Sequence, residues 1–338
     1  MRFLGILAFA LFCLSEPSDA FNCRNSDRRQ DRLSWRRQIR RGDGLLTRAA
    51  VSVSESQLLD EIIDTAEQAA RRAGVLILEK SGAPVLDTKL NAKDLVTLVD
   101  KQCEDVIRET VSSRFPDHEF LGEEDTPPGR DASVKALQEK LQACEERNKF
   151  LWVCDPIDGT INFVHGQLLS GVSLAVVKGG EVVAGVLYDP YHDELYHAKK
   201  GGGAFCNGKK IKVGAQQKAA DAVIAAGSPP DPANLDPMMR GCAAVAPHIR
   251  TLRLLGSAAI MFAWVACGRL TGYFEIDLHP WDHAAGVLIV EEAGGKVTDM
   301  EGKPYTISKR GIVASNASTD VHETMLRELK AADAIRAG

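Results

Sequence analysis

A run of four apolar residues, Leu151-Trp152-Val153-Cys154, breaks off into Asp155-Pro156-Ile157-Asp158-Gly159-Thr160. An apolar run bounded by turn residues reads as a buried strand. Its two aspartates then stand at the rim of a core, where an unpaired charge is costly. Whatever fold the chain adopts must bring to that strand tip something that tolerates or neutralises acid. Taken alone, the two acids also fit ordinary turn aspartates that cap backbone groups around Pro156 and Gly159.

The neighbouring patterns place this strand within a layered body. Leu58, Leu59, Ile62, Ile63, Ala66, Ala69, Ala70, Ala73 and Leu76 recur at helical spacing, which predicts an amphipathic helix over 55–80. Further helices are predicted over 100–113 and, charged and solvent-facing, over 132–147. Strands follow at 150–154, 171–177, 181–188, 194–198 and 204–206, separated by glycine, proline and lysine turns. Beyond about residue 220, strands at 221–226, 250–254, 271–276, 296–299 and 311–315 alternate with helices at 257–267, 282–293 and 319–331. Helices first, an antiparallel-leaning sheet next and an α/β half last predict stacked layers of both kinds. No internal repeat is visible.

Charge excludes one class of partner. Residues 1–50 carry ten arginines against five acids, leaving 31 basic against 41 acidic residues in the remaining 288. An acidic body of this kind lacks the cationic face that a nucleic-acid backbone requires. The eight cysteines form no CxxC pair and no regular spacing, so they read as reduced thiols packed like small hydrophobes.

The basic head reads as an address. Met1 to Leu14 set one arginine before a roughly twelve-residue apolar run, too short for a permanent membrane anchor, and Ser18 and Ala20 fit a small-x-small cleavage pattern. Residues 1–20 are therefore expected to be a signal peptide. The next segment, 21–50, has nine arginines, no lysine and three acids, the composition of a transit peptide. A signal peptide followed by Phe21 and an arginine-rich stretch resembles the bipartite presequences of complex plastids. Secretion to the ER lumen or beyond, and mitochondrial import, are the alternatives.

Three acidic islands carry the chemistry: Gly122-Glu123-Glu124-Asp125, Asp155 to Thr160, and Pro280-Trp281-Asp282-His283-Ala284-Ala285-Gly286. Singly, Glu123 and Glu124 fit a solvated turn and Asp282 a helix N-cap. Together, each follows an apolar element, and convergence of three such acids would demand cations. Carboxylate and carbonyl donors without histidine or cysteine at ligand spacing suit Mg²⁺ better than Zn²⁺. Mg²⁺ so held leaves positions for water and phosphate oxygens, and paired metals clamp an in-line displacement at phosphorus. In Asp155 to Asn162, the proline fixes the backbone after Asp155 and Gly159 permits close approach of a ligand.

At these residues the sequence resembles the inositol monophosphatase family of Mg²⁺-dependent, lithium-sensitive phosphatases, over roughly residues 55–335 as one catalytic domain. Asp94 to Asp100 and Gly201 to Gly208 add family-like stretches. The resemblance implies an α+β fold, a layered αβαβα sandwich, usually homodimeric. It implies that Glu123, Asp155 and the Ile157 carbonyl hold one Mg²⁺, that Asp155, Asp158 and Asp282 hold a second, and that Glu123 serves a weaker third through water. Thr160, with Asp100 and Glu123, would orient and deprotonate the attacking water. Asp158, Gly159, Thr160, Gly256, Ser257, Ala258, Glu275 and Lys89 would contact the substrate. For Glu275 and Ser257 a strand end and a helix N-cap are the plain structural readings. The implied substrate is myo-inositol 1-phosphate or a similar small polyol or sugar monophosphate, with histidinol phosphate or 3′-phosphoadenosine 5′-phosphate as alternatives and a regulatory binding role as a third.

Two departures stand out. Ile161 replaces a second threonine often found after the first, and the helix at 132–147 stretches the gap between Glu123 and Asp155. His165, His279 and His283 form no metal-binding or triad spacing and read as structural, as does Trp281; Gly201 to Gly203 read as a hairpin turn. A fluorescent fusion of residues 1–50 is expected to accumulate in plastids. Its secretion, or its accumulation in mitochondria, would overturn that address.

Overall fold

Successive residues of a strand face opposite ways, and 151–154 show the consequence. Leu151 and Val153 join one core, Trp152 and Cys154 another, and none of the four retains any exposure. A strand buried on both faces needs a covering layer on each. The computed structural model describes the backbone of residues 46–82, 87–88 and 95–334, and the side chains of 55–82 and 97–334. The expected signal peptide at 1–20, the side chains of the arginine-rich segment at 21–50, and Lys89 lie outside the described residues. Residues from Ser52 onward form one compact unit.

Helices α1 (Leu46–Lys80) and α2 (Leu98–Arg114) come first, with the short antiparallel pair β1 (Asp87–Thr88) and β2 (Leu95–Val96) between them. Next come β3 (Glu119–Gly122), α3 (Arg130–Arg147), β4 (Leu151–Asp158), the one-turn α4 (Thr160–Val164), β5 (Gly171–Lys178), β6 (Glu181–Asp189), β7 (Glu194–Lys199), β8 (Gly203–Cys206) and β9 (Lys209–Lys210). The strands from β3 to β9 form one sheet in sequence order, antiparallel except for the β3–β4 pair. Then follow β10 (Val223–Ala226), α5 (Pro232–Val245), β11 (Thr251–Leu254), α6 (Ala258–Ala266), β12 (Gly272–Glu275), α7 (Pro280–Glu292), β13 (Lys296–Asp299), β14 (Ile312–Ser315) and α8 (Thr319–Ala331). Their sheet runs β11-β10-β12-β14-β13, with β10 parallel to both neighbours and the other pairs antiparallel.

Three cores separate five layers. Ile62, Ala69, Cys103 and Ile107 of α1 and α2 pack on the Trp152 face of the first sheet. Its opposite face packs on α6 and α7, which also cover Tyr273 and Ala314 of the second sheet. The far face of that sheet, with Phe274 and Val313, receives Met238 of α5 and Met325 of α8. This is the αβαβα sandwich that the family resemblance implies, and it contains the stacked layers of both kinds that the residue patterns predict. The middle helices are apolar almost all round because both sides are covered; in α6 every residue but Trp264 is buried. Among the described residues no helix is long and apolar enough to cross a membrane.

Some expectations need correction. The helix at α3 is not purely solvent-facing, since Ser133, Leu137 and Cys144 are buried, the last two in the middle core. Helix α5 escapes the periodicity reading, with Pro237 inside it and Gly241 packed against Leu329. The described cysteines are free; Cys103, Cys144, Cys154 and Cys242 are buried, Cys206 and Cys267 partly exposed. Gly201 to Gly203 form the β7–β8 turn, whose Gly201 and Gly203 N–H groups donate to Glu292 at 2.6 and 2.7 Å.

The two middle helices meet at Gly286, where an added Cβ would lie 2.4 Å from the Phe262 ring. Gly286→Val is expected to cost about 1–3 kcal/mol by overpacking, although valine is the better helix former. A urea midpoint at or above that of the unaltered protein would show that α6 has room to yield.

Candidate active site

Pairing of β4 with β5 runs regularly from Leu151↔Val177 to Asp155↔Ser173, then shifts register before Asp158↔Gly171. Pro156 has no N–H to give the ladder, and the irregularity re-aims the chain. Asp155 and Asp158, three apart, therefore both reach the same cavity. The Ile157 N–H donates to Asp155 Oδ1 at 3.0 Å. Gly159 follows with φ +86°, and a Cβ there would come within 3.0 Å of the carbonyl oxygens of Gly256 and Leu169. Only glycine suits that corner.

Asp282 arrives from another layer. It lies three residues inside α7 from the N-cap His279, and its Oδ2 accepts the His279 N–H at 2.7 Å. It is therefore the third residue of the helix and not the N-cap, because Pro280 begins the first turn, a position proline favours. Oxygens of Asp155, Asp158 and Asp282 all lie within 4.8 Å of one another. Glu123, just past β3, lines the same cavity without belonging to that trio; its N–H donates to the Cys154 carbonyl at 3.1 Å.

Crowding shows in the acidities. Burial, reinforced by the charges of Glu123 and Asp158, lifts Asp282 well above the usual carboxylate range. Burial pushes Asp158 up to about 6 against the opposing pull of Ser257, Ala259 and Ala258. Those three donors form the start of α6: the Ser257 hydroxyl donates to Asp158 Oδ2, the Ala259 N–H donates to the same oxygen at 2.8 Å and the Ala258 N–H to Oδ1 at 3.2 Å. Ser257 is also the N-cap, accepting the Ile260 N–H at 3.3 Å. The helix N-cap reading of Ser257 holds.

Thr160 stands beside the cluster. Its Oγ1 lies 3.3 Å from Asp100 Oδ1 and 3.1 Å from the Ile157 carbonyl oxygen, and it can donate to either. Asp100, 2% exposed, sits behind it, with Oδ2 accepting the Thr97 N–H at 2.8 Å and the Thr97 hydroxyl at 2.6 Å. That leaves Oδ1 turned to the threonine. A hydroxyl on the cavity wall backed by a fixed carboxylate can pass a proton inward.

The cavity is also lined by Glu275 at the end of β12 and by Gly256, Ser257 and Ala258. Burial pushes Glu275 up to about 7, opposed by a hydrogen bond from the Tyr273 hydroxyl. The whole cavity measures about 430 Å³, in the range of small-ligand sites. Ile161 lines it while 44% exposed, so its side chain borders the opening instead of filling the core.

Sequence reasoning missed Arg310. Its buried guanidinium donates to Asp277 Oδ1 from Nε at 2.9 Å, to Ser133 Oγ at 3.0 Å and to His279 Nδ1 at 3.2 Å. It thus ties the α3 segment to the start of α7. A single arginine before β14 gives no motif, so the sequence held no signal for it. His279 and His283 do serve structure, and Trp281 is buried, its ring stacked 4.9 Å from that of His279.

The model of the inositol monophosphatase family matches residues 58–334. Tomato (Solanum lycopersicum) inositol monophosphatase 3 is 36% identical over 268 residues, covering 78% of this chain and 96% of that protein. The Bacillus subtilis inositol-1-monophosphatase is 34% identical over 270 residues, covering 79% and 96%. The crystal structure of the extragenic suppressor protein suhB from Bartonella henselae superposes with a TM-score of 0.70 at 34% identity, covering 80% of this chain and 98% of that one. With a family model spanning most of its length and relatives above 30% identity across nearly their whole sequences, this chain belongs to the inositol monophosphatase family.

Proposed function

We propose that this protein is a Mg²⁺-dependent phosphomonoesterase releasing phosphate from myo-inositol 1-phosphate or a similar small polyol or sugar monophosphate. The carrying observation is the trio Asp155, Asp158 and Asp282, with oxygens within 4.8 Å of one another beside a threonine hydroxyl backed by a buried acid. The trio fits Mg²⁺: its donors are hard oxygens, with no imidazole or thiol among them, and the raised pKa values of Asp158 and Asp282 express the want of a neutralising charge. Glu123, Asp155 and the Ile157 carbonyl would hold one ion, Asp155, Asp158 and Asp282 a second, and Glu123 a third through water. Mg²⁺ supplies a more acidic water and neutralises charge on the phosphate.

The chain's own residues do the rest. Thr160 orients the water, whose proton passes toward Asp100 and Glu123 as its oxygen attacks phosphorus; the bond to the alcohol oxygen breaks, and that oxygen takes up a proton from solvent water to leave as the free alcohol. The backbone at Gly159 and Thr160 faces the phosphate. Glu275, Ser257, Gly256 and Ala258 hold the polyol, Lys89 is the basic substrate contact, and Glu275, poised near neutrality, can accept from or donate to a polyol hydroxyl. Histidinol phosphate, 3′-phosphoadenosine 5′-phosphate and a purely regulatory role are not favoured, because the matched family and the relatives above are inositol monophosphatases. A homodimer and delivery to a plastid complete the proposal, the first resting on the family resemblance and the second on residues 1–50.

Phosphate release from a panel of inositol, sugar, histidinol and nucleotide phosphates with Mg²⁺ should be fastest on the inositol or small sugar monophosphates. Asp155→Asn and Asp282→Asn should each lower turnover by about 10²- to 10³-fold or more, the scale of one preorganised electrostatic contact, while the protein stays folded. Undiminished turnover in either variant would sink the metal assignment.

Acidity gives a separate check. The Glu275 carboxyl rises from 4.5 to about 7 in the folded, metal-free protein, so the folded state holds that proton more tightly than the unfolded chain. Its contribution is complete below about pH 4.5 and is lost as pH rises through about 7. In EDTA, the protein should therefore lose about 3 kcal/mol relative to Glu275→Gln between pH 4.5 and 7.5. Urea unfolding at a series of pH values measures this, and a difference independent of pH would contradict it.

A further inference from the structure

Glu104 of α2 has no exposure and does not line the cavity, yet its side chain ends in a carboxyl group, whose pKa burial raises. A buried carboxylate persists only where its oxygens are used. Its Oε2 accepts the Glu124 N–H at 2.8 Å, and its Oε1 accepts from Arg108 Nη2 at 2.9 Å. Room for it exists because residue 122 is glycine: a Cβ on Gly122 would lie 2.2 Å from Glu104 Oε2. Arg108 also pairs with Asp125 and lies over the Phe120 ring at 4.2 Å, and Lys101 pairs with Asp125 at 2.6 Å.

These contacts bracket Glu123. On one side its own N–H donates to β4 at Cys154, which Gly122 faces in the β3–β4 register. On the other, the N–H of the next residue ends on Glu104. The Thr126 N–H and hydroxyl close the turn onto the carbonyls of Glu123 and Gly122, at 3.1 and 2.7 Å. The peptide joining Glu123 to Glu124 is thus fixed from both sides, and the direction of the Glu123 side chain with it. A leucine at 104 would fill the space and leave the Glu124 N–H without its acceptor.

We propose that Glu104 is a positioning residue for the metal centre, holding the turn 122–125 so that the Glu123 carboxylate stays with Asp155 and Asp282. This rests on the proposed function, because Glu123 matters in this way only if the cavity takes divalent cations. The test is direct Mn²⁺ binding to the full chain, by titration calorimetry or by paramagnetic resonance of the free ion, with folding followed by circular dichroism. Glu104→Ala and Gly122→Ala should each weaken binding about tenfold, the scale at which groups supporting metal ligands act. Glu104→Gln keeps an acceptor for the Glu124 N–H and should lose under about threefold. The double variant Gly122→Ala/Glu104→Ala should bind no more weakly than Glu104→Ala, since both changes act through one contact. Glu109→Gln, an exposed change on the same helix, should bind as the unaltered protein does.

Equal Mn²⁺ affinity in folded Glu104→Ala and Gly122→Ala would overturn the inference. So would a loss in Glu104→Ala that Gly122→Ala does not share, because the damage would then lie outside the turn. If Glu104→Ala does not fold, Gly122→Ala and Glu104→Gln decide alone: tenfold weakening in the first with near-normal binding in the second supports the role, and normal binding in both refutes it. Unaltered protein that binds no Mn²⁺ would remove the proposed function and this inference together.

Discussion

Repulsion among enclosed carboxylates is the constraint on which the architecture turns. Two charges 4.8 Å apart repel by about 3–4 kcal/mol at an effective dielectric near 20, and Asp155, Asp158 and Asp282 make three such pairs with Glu123 close by. A domain's whole stability is about 5–15 kcal/mol, so this cluster cannot be incidental. The raised pKa values of Asp158 and Asp282 record the same tension. A bound divalent cation reverses its sign, and until one arrives the fold must hold the acids in place against each other.

The middle layer does much of that holding. Helices α6 and α7 lie between the two sheets, and both begin at the site: Asp158 caps the first, and Asp282 sits in the first turn of the second. A helix N-terminus carries the equivalent of about half a positive charge, so two positive helix ends face the carboxylates. The same two helices are the most completely buried in the molecule's middle core. Packing energy gathered along their length therefore fixes the acids at their ends, and Gly286 matters to the site through the spacing it permits between them.

Legibility in the sequence follows the range of the interactions. Strands β4 to β8 of the first sheet are readable because their apolar runs and turn residues are local, and the tips of β4 and α7 because their motifs are short; the short edge strands β3 and β9 are not. Nor is helix α5, since Pro237 and Gly241 interrupt the pattern and are acceptable only against α8 and the second sheet. Helix α3 looked solvated because its charges outnumber Leu137 and Cys144, which the middle core nevertheless takes up. Arg310 reaches Ser133 across 177 positions of chain, and Glu104 reaches Glu124 across 20. Neither contact leaves a trace in local composition.

The local bonds of the acids are compatible with the proposed metal role. Asp155 does serve its turn, accepting from Ile157; Asp282 does serve its helix end, accepting from His279; Asp158 does cap a helix, though one begun 100 residues later. Asp155 and Asp282 accept these bonds on one oxygen and Asp158 on both, out of about four acceptor positions per carboxylate, and in each the bonds fix the rotamer. A carboxylate held that way loses little further side-chain freedom when a cation arrives. The turn that carries Glu123 is held by main-chain bonds, its own N–H donating to Cys154 and the Glu124 N–H to Glu104. Its direction is set through the main chain, which is why a buried acid one layer behind it has something to do.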